Sequence, residues 1–435
     1  MVDAVPFVEQ FAAIEPTLGA VDALHGLRAE ALARYRAAGL PTRAVEAWKY
    51  TGLEGLAALD AVPAALSAAA RAHVPEAAIA AVDSYRAVFV NGRFDPAQSR
   101  LDGVPAGVEI ESLAALIARD PAAAQRALAG DAEGLPLVAL NTAFAADGLV
   151  VHFSRGAVLD RPLHVISVGD AVAGSAVAFH PRHLIRLEPD ARATVIESHV
   201  GTAGYFANNV VDIEVGAGAV FKHHVLQNQA NEAFHVAVVR LALAARATYE
   251  GFVLQTGARL ARHELRARID GAGAECRMSG LYLAAGAQHI DNTTFIDHAS
   301  PGSRSRQLFK AVLDDSGRGV FQGRVLVRPY AQKTDAHQLS RALLLSRKAE
   351  MDGKPELEIY ADDVRCSHGA TIGSLDQEPM FYLMSRGIDR PTANRMLVEA
   401  FATEALDEIG APDVRASFAT HVGSWLAARR TEGVS

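Results

Sequence analysis

Four segments in the middle of the chain repeat one another at a nearly constant interval. They are Arg186-Leu187-Glu188-Pro189-Asp190-Ala191-Arg192-Ala193, Asp212-Ile213-Glu214-Val215-Gly216-Ala217-Gly218-Ala219, Arg240-Leu241-Ala242-Leu243-Ala244-Ala245-Arg246-Ala247 and, more loosely, Ala267-Arg268-Ile269-Asp270-Gly271-Ala272-Gly273-Ala274. Their closing alanines stand at 193, 219, 247 and 274, a period in the high twenties. Short strand-like runs ending in small residues at such a period are the signature of a stacked solenoid, in which each rung pairs only with its neighbours. Glycine and alanine at the corners let the backbone turn tightly. A β-sandwich with accidental spacing is the alternative. A left-handed hexapeptide helix is disfavoured, because no six-residue period with an aliphatic in each hexad persists.

Two further turns, Asp315-Ser316-Gly317-Arg318-Gly319 and Asp362-Asp363-Val364-Arg365-Cys366, follow at wider intervals, so the repeat there must carry insertions or extra rungs. The β-type region spans 149–374. Before it, 1–148 is mostly helical. Leu24, Leu27, Ala31 and Tyr35 keep helix spacing up to a stop at Gly39-Leu40-Pro41, and the Ala-rich run 64–81 reads as helix with a break at Pro75. A strand over Ala87–Val90 leads into the turn signal Asn91-Gly92, and helix returns between Leu113 and Leu128. After it, 375–435 is helical again. Pro391 opens a helix with a stripe of Leu397, Ala400, Phe401, Ala405 and Ile409, and a last helix carries Val414, Phe418, Val422, Trp425 and Leu426. Such a hairpin docks on the β body or on another protein.

Half of the residues are apolar, enough for a sizeable core, and the net charge of -8 argues against a nucleic-acid surface. No run of about 18 apolar residues marks a membrane span. The absence of a basic start followed by an apolar core, together with only two cysteines, leads us to expect a cytoplasmic protein with reduced thiols.

Those cysteines differ in their company. Cys276 lies in Ala274-Glu275-Cys276-Arg277-Met278 and reads as structural. Cys366 lies in Ala361-Asp362-Asp363-Val364-Arg365-Cys366-Ser367-His368-Gly369, behind a strand-like alternation of Leu357, Ile359 and Ala361 with Glu358 and Tyr360. On a continued strand Cys366 and His368 project from one side, a pairing that suits a soft or borderline metal. An arginine and a histidine nearby are expected to favour the thiolate. Among the other histidines, His223 and His224 must face opposite ways on a strand, and His180 and His183 are candidates to share a turn. His199, His235, His263, His289, His298 and His337 lie on different rungs, where stacking brings some together. Asp314-Asp315 and Asp362-Asp363 read as turn formers. Gly216-Ala217-Gly218 and Gly271-Ala272-Gly273 lack a full phosphate-loop fingerprint, and no GxSxG or HExxH occurs. An iron–sulfur cluster takes about four protein ligands, mostly thiolates. Two thiols, one of them structural, fall short, so any such role needs ligands from a second protein.

With these residues in view, the chain resembles the SufB/SufD family of the SUF iron–sulfur cluster assembly machinery. The resemblance rests on Gly323-Arg324-Val325, Ala331-Gln332-Lys333-Thr334-Asp335-Ala336, Leu343-Leu344-Leu345-Ser346, Pro355-Glu356-Leu357-Glu358-Ile359, the run from Ala361 to Thr371, and Phe381-Tyr382-Leu383-Met384-Ser385-Arg386-Gly387. Glu46-Ala47-Trp48-Lys49-Tyr50-Thr51, Phe89-Val90-Asn91-Gly92-Arg93-Phe94, Leu140-Asn141-Thr142-Ala143-Phe144 and the poverty of cysteines point to its SufD branch.

That likeness implies a mainly β protein, a right-handed parallel β-helix flanked by N-terminal and C-terminal α-helical regions. It implies a non-enzymatic scaffold subunit of a SufBCD complex, pairing through its β-helix with a SufB-like paralogue and docking a SufC-like ABC ATPase on its C-terminal helices. In isolation a homodimer is an option. His368 first and Cys366 second match the positions at the partner interface where a transient iron–sulfur cluster, shared with the partner, would be held. ATP-driven movement of the ATPase would expose them. A β-helix hydrolase acting on polysaccharide is the alternative from another class, and a purely structural partner with an inert Cys366 is a third.

Overall fold

The computed structural model describes residues 5–64, 74, 82–130, 134–172 and 174–432. Its body is a parallel β-helix whose successive strands alternate between two sheets. One sheet stacks Leu149–Phe153, Arg182–Leu187, Tyr205–Val215, Phe234–Leu243, Leu260–Ile269, His289–His298, Arg318–Val327 and Glu350–Ile359. The other stacks Leu163–Gly169, Arg192–Gly201, Val220–Gln229, Thr248–Gln255, Glu275–Ala284, Arg304–Leu313, Asp335–Leu344 and Arg365–Gly373. Register is kept from rung to rung: Val215 lies beside Leu243, then Ile269, His298, Val327 and Ile359. Alternate residues of every strand therefore line one continuous interior. Four strands from before residue 149 join in, Val62–Pro63 and Arg93–Phe94 as short edge pieces. Tyr85–Val90 pairs with Leu163–Gly169, and Val108–Ser112 runs antiparallel to Leu149–Phe153.

The corners explain the repeat. The backbone N–H after each corner bonds the corner carbonyl one rung earlier: Val220 to Ala191, Thr248 to Ala219, Glu275 to Ala247, Arg304 to Ala274, Asp335 to Ser303 and Arg365 to Thr334. The first corner alanine is thus Ala191; Ala193, suggested by the sequence match, sits two residues further along, beside Phe221 in the next rung. All six corner residues are buried. The wide interval after Ala274 holds one extra rung, closed by Ser303, which passed unnoticed because it is not alanine. The turn ending at Gly319 belongs to the opposite corner, where Gly317 bonds to Asp314 and Asp315 takes a φ of 50°. Gly271 shows why the corners stay small, since a Cβ there would stand 1.9 Å from the backbone nitrogen of Ala245.

Helices cover both outer faces. The N-terminal helix Val21–Ala38 stops at Gly39 with a φ of 69°. The stretch expected as one helix over 113–128 is two, Leu113–Arg119 and Pro121–Leu128. Pro121 cannot continue the first, and Asp120 caps the second through the N–H of Ala123. Asn91 and Gly92 turn a hairpin between Tyr85–Val90 and Arg93–Phe94. Apart from Ala64 and Val74, the helix expected over 64–81 falls outside the described residues.

The last helices, Arg390–Leu406 and Pro412–Glu432, dock on the β body. Val398, Ala402, Ala405, Leu406, Val414, Phe418, Val422 and Leu426 pack on Phe252, Leu281, Leu283 and Val312. Of the expected stripe Ala405 and Ile409 are buried, Leu397 and Phe401 half-buried and Ala400 exposed, with Val398 and Ala402 buried beside them; Phe401 lies over the Lys310 ammonium at 4.1 Å. Among the described residues no helix is long and apolar enough to cross a membrane.

Candidate functional site

The last rung is the open end of the solenoid. Among the described residues Arg365–Gly373 pairs along one edge only, with Asp335–Leu344, and Glu350–Ile359 pairs only with Arg318–Val327. Their other edges present unpaired backbone groups, and Ile359, Tyr360 and Ile372 are exposed beside them. Such an edge is a template for a further strand.

Cys366 and His368 both sit on this terminal strand, level with Ala336 and Gln338 of the preceding rung. Ala336 and Gln338 are buried in the interior, so both site residues point the same way, at the mouth of the solenoid. They are about 6.6 Å apart along the strand. Cys366 is half-buried against the core, and His368 is exposed. Burial, and behind it the Asp335 carboxylate, pushes the Cys366 thiol up from its ordinary value. The expected help to the thiolate does not come: Arg365, one residue before, projects from the opposite side of the strand.

On the outer side of this rung, His337 Nδ1 lies 2.6 Å from the Ser367 hydroxyl and His337 Nε2 lies 2.7 Å from Asp335. Among the described residues no three His, Cys, Asp or Glu side chains converge to hold a metal ion. Cys276 occupies the column of Cys366, separated from it by Ser305 and Ala336, and is fully buried; burial pushes its thiol up to about 12. It is a core residue.

Stacking does gather histidines, deep inside the solenoid. Glu197 lies 3.1 Å from His199 Nε2 and 2.8 Å from His223 Nε2, and the Tyr249 hydroxyl is 3.1 Å from His223 Nδ1. The His199 and His235 rings are 4.7 Å apart, and His183 and His263 feel the same charges. Burial alone would raise the Glu197 carboxyl, but the hydrogen bonds from His199 and His223 hold it well below the ordinary range. His224 faces outward, opposite to His223, as the strand geometry requires. His180 and His183 do not share a site: His180 packs among Phe7, Phe144 and Phe206 on the outer face, and His183 accepts the N–H of Leu149. Glu197 and His199 share a side as i and i+2 of one strand, a spacing visible in the sequence, whereas His223 lies on the next rung and only the register brings it to them.

The segment 46–51 fixes the N-terminal region to the first sheet. Trp48 stacks on the Arg262 guanidinium at 4.0 Å, Arg262 pairs with Glu264 and Asp291, and the Thr51 hydroxyl donates to Asp291. At the other end of the chain, the helix Gln377–Ser385 leaves Phe381 74%, Tyr382 58% and Met384 42% exposed. A cleft of about 710 Å³ separates it from the last helix, lined among others by Leu345, Met380, Asn394, Val398 and Leu426.

Comparison with known proteins finds two family models along the chain. "SUF system FeS cluster assembly, SufBD core domain" matches residues 170–401, and "SufBD protein N-terminal region" matches 7–165. An iron–sulfur cluster assembly SufBD family protein of Synechocystis sp. is 33% identical over 407 residues, covering 90% of this chain and 86% of its own length. The iron–sulfur cluster assembly protein SufD of Escherichia coli is 33% identical over 399 residues, covering 89% and 90%. Protein ABCI7, chloroplastic, of Arabidopsis thaliana is 31% identical over 297 residues, covering 66% and 62%.

Proposed function

This chain belongs to the SufBD family of SUF-system iron–sulfur cluster assembly proteins, and from that premise we propose that it serves as a SufD-like, non-catalytic scaffold subunit in the cytoplasm. The observation that carries this reading is the open last rung with Cys366 and His368 on it. A SufB-like paralogue adds its strands to the two free edges, which removes the exposed backbone groups and places its own ligands opposite Cys366 and His368. The iron–sulfur cluster is cargo held between the two subunits. His368, exposed and free to turn, is the first ligand from this side, and Cys366 the second. A homodimer through the same edge forms when the paralogue is missing.

The SufC-like ATPase docks on the C-terminal helices, where Phe381, Tyr382 and Met384 form an apolar surface that nothing in this chain covers among the described residues. Nucleotide-driven movement there reaches the β body through the contacts of Arg390–Leu406 with the second sheet, and biases the rung between a closed and an open state.

The test is reconstitution with the SufB-like and SufC-like partners, followed by measuring acid-labile sulfide and iron in the complex. His368→Ala and Cys366→Ala are expected to leave the complex assembled and to lower its cluster content, His368→Ala more severely. Full cluster content in both variants would remove the site; failure of the wild-type chain to join either partner would remove the scaffold.

A further inference from the structure

The interior of the solenoid is far more polar than the packing of stacked strands requires. From the Glu197–His199–His223 cluster, inward-facing polar side chains continue one rung at a time to the open end. His263, which feels the charges of His223 and Glu197, stands beside Asn292 on the next strand. Thr294, two residues along that strand and facing the same way, donates to Gln307 Oε1 across the interior at 2.6 Å. Gln307 is level with Gln338, and Gln338 with His368. Neighbouring strands lie about 4.8 Å apart, so each step is one hydrogen-bonded bridge long.

Most of the polar atoms on this path have no partner within the protein. Both amide atoms of Asn292, both of Gln338 and Nε2 of Gln307 are buried and unmatched, as are Oδ1 of Asn209 and both amide atoms of Gln255 near the cluster. Asn292 is 0% exposed, Gln307 and Gln338 3% each. A buried donor or acceptor left unmatched destabilises the fold, and a buried water makes about three hydrogen bonds to groups of this kind. Gly323 helps to leave room, since a Cβ there would meet Gln338 Nε2 at 2.9 Å.

We propose that the solenoid encloses a file of ordered water along Asn292, Thr294, Gln307 and Gln338, and that this file connects solvent at the open last rung with the Glu197–His199–His223 cluster as a path for proton exchange. A proton entering from solvent at the mouth of the solenoid moves by exchange of O–H and N–H bonds along the file to an imidazole nitrogen of the cluster; no other bond changes. The unit of positive charge carried inward is offset by the Glu197 carboxylate. Burial keeps His183 near 4 and His263 near 3, so both remain neutral neighbours around that carboxylate.

The experiment is hydrogen exchange of the His199 and His223 imidazole N–H groups, followed by NMR on the full chain labelled at histidine. Gln338→Leu fills the path with apolar bulk four strands or more from the cluster. Exchange in the wild type is expected to run well ahead of global unfolding and to slow at least about tenfold in Gln338→Leu at unchanged Tm. If Gln338→Leu does not fold, Gln307→Met interrupts the same path. A high-resolution crystal structure of the chain is expected to show water bonded to the amides of Asn292, Gln307 and Gln338. Equal exchange in wild type and variant, or amide sites with no water beside them, overturns the path. Both readouts need only this chain, so neither depends on whether it assembles clusters.

Discussion

The ammonium of Lys310, rooted in the second sheet, donates to the backbone carbonyl of Phe401 at 2.8 Å. It also meets the carboxylate of Glu404, and burial lowers its pKa. One side chain from the β body thus grips the helix Arg390–Leu406 at a carbonyl and a carboxylate together. Lys310→Met keeps the stem and removes the grip, at a local cost of about 1–3 kcal/mol. Hydrogen exchange over residues 390–406 is expected to quicken while the solenoid stays protected. Unchanged protection there would show that apolar contacts alone hold the helix.

Acid should loosen the fold well before its carboxylates are exhausted. Burial lowers His164, His180 and His263 to about 3 and His183 and His298 to about 4. These folded-state values lie below the unfolded value, so the unfolded chain binds more protons as pH falls. Stability is therefore complete above about pH 6.5 and is lost toward pH 4, at up to ~1.4 kcal/mol per pH unit for each group. Glu197, held low, acts in the same direction at lower pH. Urea midpoints are expected to hold from pH 7.5 to about 6.5 and to fall from there to pH 5; a flat profile throughout would contradict the burial of these imidazoles.

The two thiols should separate cleanly by reactivity. Cys276 is sealed in the core and Cys366 stands at the mouth. At pH 8 a disulfide reagent is expected to titrate one thiol slowly in the native protein and two in denaturant. Cys366→Ser should abolish the native reaction. Two native equivalents would mean that the column of Cys276 opens.

Corner size is a strict requirement at Gly271. Its missing Cβ is where the preceding rung's backbone runs. Gly271→Ala has to push two rungs apart, and a loss of roughly 1–3 kcal/mol is expected in thermal unfolding. Gly286→Ala, at a corner with open space around it but a φ of 59°, should cost less.

Ala219, Ala247 and Ala274 announced the solenoid because each fills the same buried corner, and a repeated space demands a repeated residue. Ser303 and Thr334 fill that space too, but a hydroxyl hides them from a search for alanine. Cys366 and His368 were legible because their geometry is local: i and i+2 on a strand share a side whatever the strand packs against. The thiol's environment was not, since it depends on Asp335 thirty-one residues earlier. Glu197 and His199 hold the same i and i+2 spacing, but the meaning of that pair is set by His223 on another rung. The stripe of the helix Arg390–Leu406 was legible at Ala405 and missed at Ala400, where Val398 and Ala402 face the β body instead.

The two ends of the β body are unlike. One closes in short antiparallel strands, Val108–Ser112 and Arg93–Phe94, that turn the chain back on itself; the other stops on two bare parallel edges. A column that sticks at both faces would string into fibres. This one leaves edges bare at a single end among the described residues, so the pairing proposed above would end after one joining step.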